Sequence, residues 1–319
     1  MTSNFKFCLK IGMVVLLGSV VAARISTFDN PEIVFWVKFF EQKDREIAAI
    51  ETPKIVFVGG SSCTFSVDPE IVGKGTGMPA YNYGGIAYMG PRYMFARVKK
   101  HLKRGDVLVV GYEPGILKGI DGQIAYSLGR RMTLYNSEYD LLPEVSTPEK
   151  NFQRWMEVVR PGLKVAMVSL GRSIQDGRPY AYTNDDQKGG GRLELGQIEY
   201  QRAARQELDI LPLEEPAVDF LHEVASFCQA QEILCVYTIP WQATDPAYVD
   251  ENRNVKAKFL AEVGAVIPCL DDERVGVIAG MEGFLDTDYH LGAEMSRKRS
   301  EFLAAKLERF FEENEFRKY

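Results

Sequence analysis

The sequence has few histidines, few cysteines and no excess of basic residues, and each shortage excludes a class of function. Only three of its 319 residues are histidine, so a mechanism that needs an imidazole has few candidates. Its five cysteines are an odd number without a Cys-x-x-Cys pair, which argues against a zinc cluster and a disulfide framework. The 44 acidic and 38 basic residues give a net charge of −6, so no nucleic-acid partner is expected. These patterns imply no cofactor and no metal.

The N-terminus carries an apolar segment of the kind that directs export. Lys6 and Lys10 precede an apolar run over residues 11–23, and Arg24 follows the run. This pattern indicates a cleavable signal peptide. The apolar residues upstream of Lys10 could lengthen the run into an uncleaved signal anchor. Either route places the remaining chain outside the cytoplasmic membrane, tethered and facing outward or released into the periplasm or medium. The alternative is a buried N-terminal helix of a cytosolic protein.

The segment boundaries that we predict are a signal peptide or membrane anchor over residues 1–24, a linker helix over 25–51 and one large domain over 52–319. The linker is expected to be an amphipathic helix over residues 31–50. Hydrophobic residues make up 46% of the chain and charged residues 26%, which is typical of a globular protein.

The pattern beyond residue 52 predicts an α/β fold with a parallel sheet. Near-continuous apolar runs predict strands that are buried on both faces, at residues 54–58, 106–110, 233–239 and 265–267. Apolar residues at helical spacing lie between and after them, around 91–102, 218–228, 255–263 and 303–311. Such alternation is typical of an open sheet whose ligands bind at the carboxyl ends of the strands. Residues 120–215 break the alternation and predict a partly helical insertion over the sheet edge, where substrate choice would be encoded.

A glycine-rich turn with serines follows the first predicted strand. Gly59 and Gly60 allow a sharp turn, and Ser61 is then presented on the ligand side of the sheet, where a nucleophile would be well placed. The same turn could instead hold a phosphate or cap a helix. It lacks the Gly-Lys-Ser/Thr of a P-loop and the GxGxxG of a dinucleotide site.

Two carboxylates near the C-terminus lie close in sequence to a histidine. A hydroxyl nucleophile needs a base, and the base needs a carboxylate that fixes its tautomer. If the segment turns helically, Asp286 shares a face with His290, whereas Asp288 does not, so Asp286 is the first choice for the orienting carboxylate. The alternative is that either aspartate caps the last helix. Neither His101, at a basic helix end, nor His222, on an amphipathic helix, follows a strand.

These motifs together resemble those of the SGNH/GDSL hydrolases. The resemblance rests on Gly59-Gly-Ser61 with the tail Phe65–Pro69, on Asn82-Tyr-Gly84 and on the segment Asp286–Leu291. It covers about residues 52–119 and 216–310. It is strongest towards the bacterial envelope-associated members, which are similar to polysaccharide O-acetylation proteins and often encoded beside membrane-bound O-acyltransferases. The fold that it implies is a flavodoxin-like three-layer α/β/α sandwich.

The resemblance also implies a role for each matching residue. Ser61 would be the nucleophile, His290 the base and Asp286 its acid partner, while the backbone N–H groups of Ser61 and Gly84 would stabilise the oxyanion. Other residues would line the site, namely Gly60, Ser62, Asn82, Glu113 and Asp288. Ser62 would be the nucleophile if the turn were offset by one residue, and Cys63 is a third candidate.

The sequence departs from the SGNH pattern at two positions. Gly60 replaces the Asp of Gly-Asp-Ser, which is not the nucleophile. Glu113, in Gly111-Tyr-Glu113, replaces the Asn that supplies a further oxyanion donor in the family. An ionised carboxylate cannot donate a hydrogen bond, and the loss of one such donor costs about 100-fold or more in rate.

The resemblance predicts an exported serine esterase or O-acyltransferase that acts on acyl, most simply acetyl, esters of envelope or extracellular carbohydrate. Its expected partners are the acylated carbohydrate, the membrane and a membrane-bound O-acyltransferase. A second hypothesis is a weakly active or inactive carbohydrate-binding or assembly component of a polysaccharide-modifying membrane complex, because Glu113 replaces the Asn. A third is a cytosolic phosphate-binding α/β protein that uses Gly59–Ser62 as an anion-binding turn.

Overall fold

The structure, a computed structural model, describes residues 3–27, 31–51, 53–120, 127–136, 187–193, 203–204 and 210–314. Most of the predicted insertion over 120–215 lies outside these residues. The chain divides into two compact units. One comprises Met1–Glu41 and Tyr126–Thr183, and the other comprises Gln42–Ala125 and Asn184–Tyr319.

The described residues form both α-helices and β-strands. The α-helices are α1 (Ser3–Thr27), α2 (Pro31–Ala48), α3 (Ser61–Ser66), α4 (Pro69–Thr76), α5 (Pro91–Val98), α6 (Pro114–Lys118), α7 (Ser127–Asn136), α8 (Glu215–Ala230), α9 (Val249–Gly264) and α10 (Ala293–Glu313). The strands are β1 (Ile55–Gly59), β2 (Ala80–Asn82), β3 (Val107–Gly111), β4 (Gln187–Lys188), β5 (Arg192–Leu193), β6 (Leu234–Tyr237), β7 (Gln242–Thr244) and β8 (Val277–Ala279).

The first unit contains an N-terminal apolar helix. Within α1, Phe5–Ile25 is a 21-residue segment of mean hydropathy 2.0, long and apolar enough to cross a membrane by length and composition. A signal sequence near an N-terminus passes the same test. The apolar side chains of α1 are largely exposed, as Leu17 is at 68%. Helix α1 lies against α7 in this unit, and α2 confirms the predicted helix over 31–50.

The second unit is built on a parallel sheet, as the sequence predicts. Its strand order is β2-β1-β3-β6, and the registers pair Gly59 of β1 with Gly111 of β3. Beyond β6, Tyr237 forms one further parallel bridge, to Cys269. Alternate strand residues such as Phe57 and Val109 form one core with α4 and α10. The residues that point to the opposite face, such as Val56, are equally buried, so both faces of the sheet are covered.

A buried ion pair connects the starts of β1 and β3. Lys54 Nζ lies 2.8 Å from Asp106 Oδ2, and both side chains are almost fully buried. Asp106 also accepts the backbone N–H groups of Lys54, at 3.0 Å, and Lys103, at 2.8 Å. These bonds satisfy the carboxylate where the two strands enter the sheet.

The strand predicted at 265–267 is wrong. Helix α9 continues to Gly264, residues 265–267 form a turn, and the chain reaches the sheet only at Cys269. The sequence analysis also missed β2, β7 and β8, which are three residues long. Strands this short give too few alternating positions for a pattern to be recognised.

Candidate active site

The serine turn leads from β1 directly into α3. Gly59 must be glycine because a Cβ there would clash with the carbonyl oxygen of Gly111 on the neighbouring strand. Helix α3 then begins at Ser61. Ser61 is half-buried, whereas Ser62 is 3% exposed and its Oγ is enclosed, so Ser61 is the hydroxyl that a substrate can reach.

His290 and Asp286 are joined in a short loop near the C-terminus. His290 Nδ1 lies 2.7 Å from Asp286 Oδ1. The loop does not turn helically, because Phe284 pairs with Leu291 in an antiparallel bridge. Thr287 Oγ1 accepts the His290 N–H at 3.1 Å and helps to shape the turn. The expected contact therefore forms, but through a hairpin-like turn.

The charge of Asp286 is stabilised by its histidine partner. Burial alone would raise the pKa of Asp286, but the hydrogen bond and the charge of His290 outweigh it and hold that pKa below its usual value. Asp286 is thus ionised at neutral pH and fixes the proton of a neutral His290 on Nδ1. In that tautomer, Nε2 is left as the proton acceptor that a serine nucleophile requires.

Helix α3 holds the histidine loop in place. The His290 ring packs against the Phe65 ring, with centroids 4.5 Å apart. Ser66 Oγ donates to the carbonyl oxygen of Tyr289 at 3.2 Å and accepts the N–H of Leu291 at 3.3 Å. Ser61 precedes Phe65 by four residues, so both lie on one face of α3, the face against which His290 packs. The structure therefore places the His290–Asp286 pair against the helix that begins at Ser61.

Asp288 is not the partner of His290. Its Oδ2 accepts Gln242 Nε2 at 2.8 Å, and its carbonyl oxygen accepts the N–H of Ala243 at 2.7 Å. Asp288 thus joins the histidine loop to β7. The choice of Asp286 over Asp288 agrees with the observed contacts.

Asn82 and Gly84 lie beside α3, and Asn82 is hydrogen-bonded to it. Asn82 is fully buried, and its Nδ2 donates to the carbonyl oxygens of Cys63 at 2.8 Å and Val67 at 2.9 Å. The N–H of Gly84 donates to Asn82 Oδ1 at 2.9 Å. A Cβ on Gly84 would lie 2.7 Å from Thr64 N, one turn along α3 from Ser61. The N–H that we predicted as an oxyanion donor is therefore engaged by Asn82.

Lys43 of α2 secures the same loop and was missed in the sequence analysis. Its fully buried Nζ donates to the carbonyl oxygens of Asn82 at 2.9 Å and Gly84 at 2.8 Å. Burial lowers the pKa of Lys43 to about 7, although nearby groups, Cys63 first among them, partly oppose the shift. The signal was present in the sequence, since Lys43 falls four residues before Ile47 and three after Phe40, in the apolar stripe of α2.

Glu113 lies against the serine turn. Its Oε1 accepts the backbone N–H of Ser62 at 2.9 Å. The side chain is 5% exposed, and burial raises the pKa of Glu113, opposed in part by that hydrogen bond. A Cβ on Gly60 would clash with Glu113 Oε2, so the carboxyl occupies the space that a side chain at position 60 would need.

The other nucleophile and histidine candidates lack the required surroundings. Cys63 is buried, and burial raises the pKa of its thiol to about 12, so it stays protonated. His101 is not simply solvated, as we had expected, because its Nε2 lies 3.0 Å from Asp44 Oδ1. His222 is exposed on α8.

A narrow cleft behind α3 contains an arginine that the sequence analysis did not identify. Ser62, Ser66 and Trp241 line it together with Arg299 of α10. Arg299 Nη2 donates at 2.7 Å both to Thr238 Oγ1 and to the carbonyl oxygen of Ile239. This arginine thereby fixes the segment after β6 next to the serine helix.

Comparisons with known proteins add no identification. No protein-family model matches the chain, and no curated protein matches it either.

Proposed function

We propose that this protein is a serine esterase or O-acyltransferase of the SGNH type, with Ser61 as nucleophile, His290 as base and Asp286 as the orienting carboxylate. The observation that carries the proposal is the 2.7 Å contact between His290 and Asp286, on a ring that packs against the face of α3 bearing Ser61. The strand order β2-β1-β3-β6, continued by the bridge to Cys269, agrees with a flavodoxin-like sheet.

The chemistry would proceed through an acyl-enzyme. Ser61 Oγ would form a bond to the ester carbonyl carbon while its proton passes to His290 Nε2, and the carbonyl electron pair would move onto oxygen. Collapse would expel the alcohol, which takes the proton from His290. Water or a sugar hydroxyl would then remove the acyl group by the same steps in reverse. Hydrolysis and transfer differ only in this last acceptor.

The substrate class comes from the resemblance together with the N-terminal helix. We propose acyl esters, acetyl first, of carbohydrate in the cell envelope or outside the cell. Helix α1 would act as an export signal or anchor that keeps the domain on the outer side of the membrane, next to a membrane-bound O-acyltransferase.

A second candidate function is a carbohydrate-binding or assembly component with little activity. The hydrogen bond from the Gly84 N–H to Asn82 Oδ1 favours it, because this N–H is already used and does not face an oxyanion. Glu113 also replaces the family's Asn donor. Of the donors in the SGNH pattern, the Ser61 N–H therefore remains. A component of this kind would contain no activated serine.

Labelling of the full-length chain in detergent with a fluorophosphonate probe separates the two candidates. Wild type and Ser62→Ala are expected to label, since Ser62→Ala keeps the backbone N–H that Glu113 accepts. Ser61→Ala and His290→Ala are expected to lose labelling. Folded wild-type protein that fails to label, or labelling that is indifferent to His290, would move the assignment to the binding component.

A further inference from the structure

The end of α2 holds both β2 and the segment that follows it, residues 83–85 (the β2 loop). This end of α2 belongs to the same compact unit as the parallel sheet. Glu46 Oε2 accepts the hydroxyl of Tyr81 at 2.8 Å. Asp44 Oδ1 accepts the hydroxyl of Tyr83. Two carboxylates of α2 therefore bind the side chains of this part of the chain at alternate positions.

Lys43 binds the backbone on either side of Tyr83. Its Nζ is fully buried and donates to the carbonyl oxygens of Asn82 at 2.9 Å and Gly84 at 2.8 Å. Buried carbonyl groups need a donor, and Lys43 supplies one to each. An ammonium group has three N–H bonds and a neutral amine has two, so both carbonyls are satisfied in either protonation state. The position of the β2 loop is thus set by α2.

The β2 loop is bonded to the chain on both sides of Ser61. Before Ser61, the carbonyl oxygen of Gly59 accepts the N–H of Gly85 at 3.0 Å. After Ser61, Thr64 Oγ1 donates to the carbonyl oxygen of Gly85 at 2.7 Å. Asn82 Nδ2 donates to two further carbonyl oxygens of α3. A shift of the β2 loop would therefore shift the turn that presents the Ser61 hydroxyl.

The histidine loop is held in part by contacts that do not involve the β2 loop. Asp288 joins it to β7, and the His290 ring packs against Phe65. A misplacement of about 1 Å between reacting groups costs about 100-fold in rate. The contacts that fix the serine turn relative to His290 are therefore expected to control the rate.

We propose that Lys43 is a positioning residue, which holds the β2 loop and thereby keeps Ser61 aligned with His290. This inference rests on the proposed esterase or acyltransferase function. Lys43 would act through the backbone of Asn82 and Gly84, not by contact with the substrate. Helix α2, which follows the apolar helix in the chain, would then be part of the framework of the active site.

Lys43→Met tests the proposal because methionine has a similar length and supplies no donor. Hydrolysis of p-nitrophenyl acetate by full-length protein in detergent is expected to fall about 10- to 100-fold in kcat. Acylation and deacylation of Ser61 both depend on the alignment, so KM is expected to stay within about threefold. The rate of fluorophosphonate labelling should fall by a factor similar to that of kcat.

The matched control is the double variant Lys54→Met/Asp106→Leu. It also removes a fully buried lysine, but where β1 and β3 enter the sheet. An apolar pair can replace a buried ion pair at little cost in stability, and the kcat of this variant is expected within about twofold of wild type. Each rate is measured below the thermal unfolding of the variant, so that it refers to folded protein.

Thr64→Val decides the question if Lys43→Met does not fold. Valine has nearly the shape of threonine and removes the hydroxyl that donates to Gly85. A fall in kcat of about tenfold with little change in KM would support positioning by the β2 loop. An unchanged kcat would overturn it.

The outcomes separate this inference from the proposed function. If wild type neither hydrolyses the ester nor labels with fluorophosphonate, both are refuted. If wild type reacts and Lys43→Met keeps its kcat within about twofold, the positioning role alone is refuted. Equal losses of kcat in Lys43→Met and the control, or a raised KM with unchanged kcat, would likewise overturn the positioning role while the serine mechanism stands.

Discussion

Replacement of Asp286 by Asn tests how the histidine is oriented. Asp286 Oδ1 lies 2.7 Å from His290 Nδ1, and the Asp286 side chain is 27% exposed. The substitution keeps the size and one hydrogen-bonding oxygen but removes the charge. The imidazolium that forms when Ser61 attacks would then lose its counter-charge.

The expected loss follows from that distance. Two unit charges 2.7 Å apart attract by about 6 kcal/mol at an effective dielectric constant of about 20. Solvent reaches the open side of Asp286, and we take about half of this value as the transition-state stabilisation, which corresponds to about 100-fold in kcat. An Asn that turns its N–H₂ to Nδ1 would also place the His290 proton on Nε2, where it blocks the acceptance of the serine proton. We therefore expect a loss between about 100-fold and 10,000-fold.

The assay is p-nitrophenyl acetate hydrolysis by the full-length chain, together with the rate of fluorophosphonate labelling. Asp288→Asn is the matched control, because Asp288 bonds to Gln242 and not to His290. The control is expected to stay within a few-fold of wild type. A loss below about tenfold in Asp286→Asn, or equal losses in the two variants, would refute the assigned role of Asp286.

Two further predictions concern a buried lysine beside the site and a buried ion pair at the start of the sheet. The pKa of Lys43 falls to about 7 in the folded chain. Between that pH and the ordinary pKa of lysine, Lys43 is therefore protonated in the unfolded chain and neutral in the folded chain. The free energy of unfolding of wild type, relative to Lys43→Met, should therefore rise by up to about 1.4 kcal/mol per pH unit between pH 7 and 9. Thermal unfolding of both proteins across this range measures the difference. A difference that stays flat or falls with pH would contradict the lowered pKa of Lys43. Asp106→Ala would leave Lys54 buried without its partner and is expected to cost about 3–5 kcal/mol, with part of it regained in Lys54→Met/Asp106→Leu. If the double variant is no more stable in denaturant than Asp106→Ala, an uncompensated Lys54 charge is not the cause.

The long strands and helices could be predicted from sequence because burial on both sheet faces leaves continuous apolar runs. Strands β1, β3 and β6 fall largely within the predicted runs, and α10 follows the spacing of Leu303 and Leu307. The run at 265–267 misled because an apolar turn that enters the sheet has the same composition as a short strand. The composition of a segment does not show which partners its backbone N–H and C=O groups bind.

The candidate site was predictable in its sequence-local parts and not in its long-range ones. Asp286 and His290 are four residues apart, so either a helical turn or a hairpin-like turn brings them into contact. The contacts that decide which groups are free join distant segments, such as Lys43 with Gly84 and Ser62 with Glu113. A sequence pattern identifies residue types, but it cannot show that the N–H of Gly84 is already used by Asn82.

The two departures from the SGNH pattern appear independent in the sequence and are a single feature in space. Gly60 lacks the side chain that the pattern has there, and the Glu113 carboxyl fills the vacated space, with Oε2 where it would clash with a Cβ on Gly60. The Glu113 carboxyl and a side chain at position 60 thus compete for the same space. The Glu113 carboxyl therefore fills the space that Gly60 leaves and accepts the backbone N–H of Ser62 from the same turn.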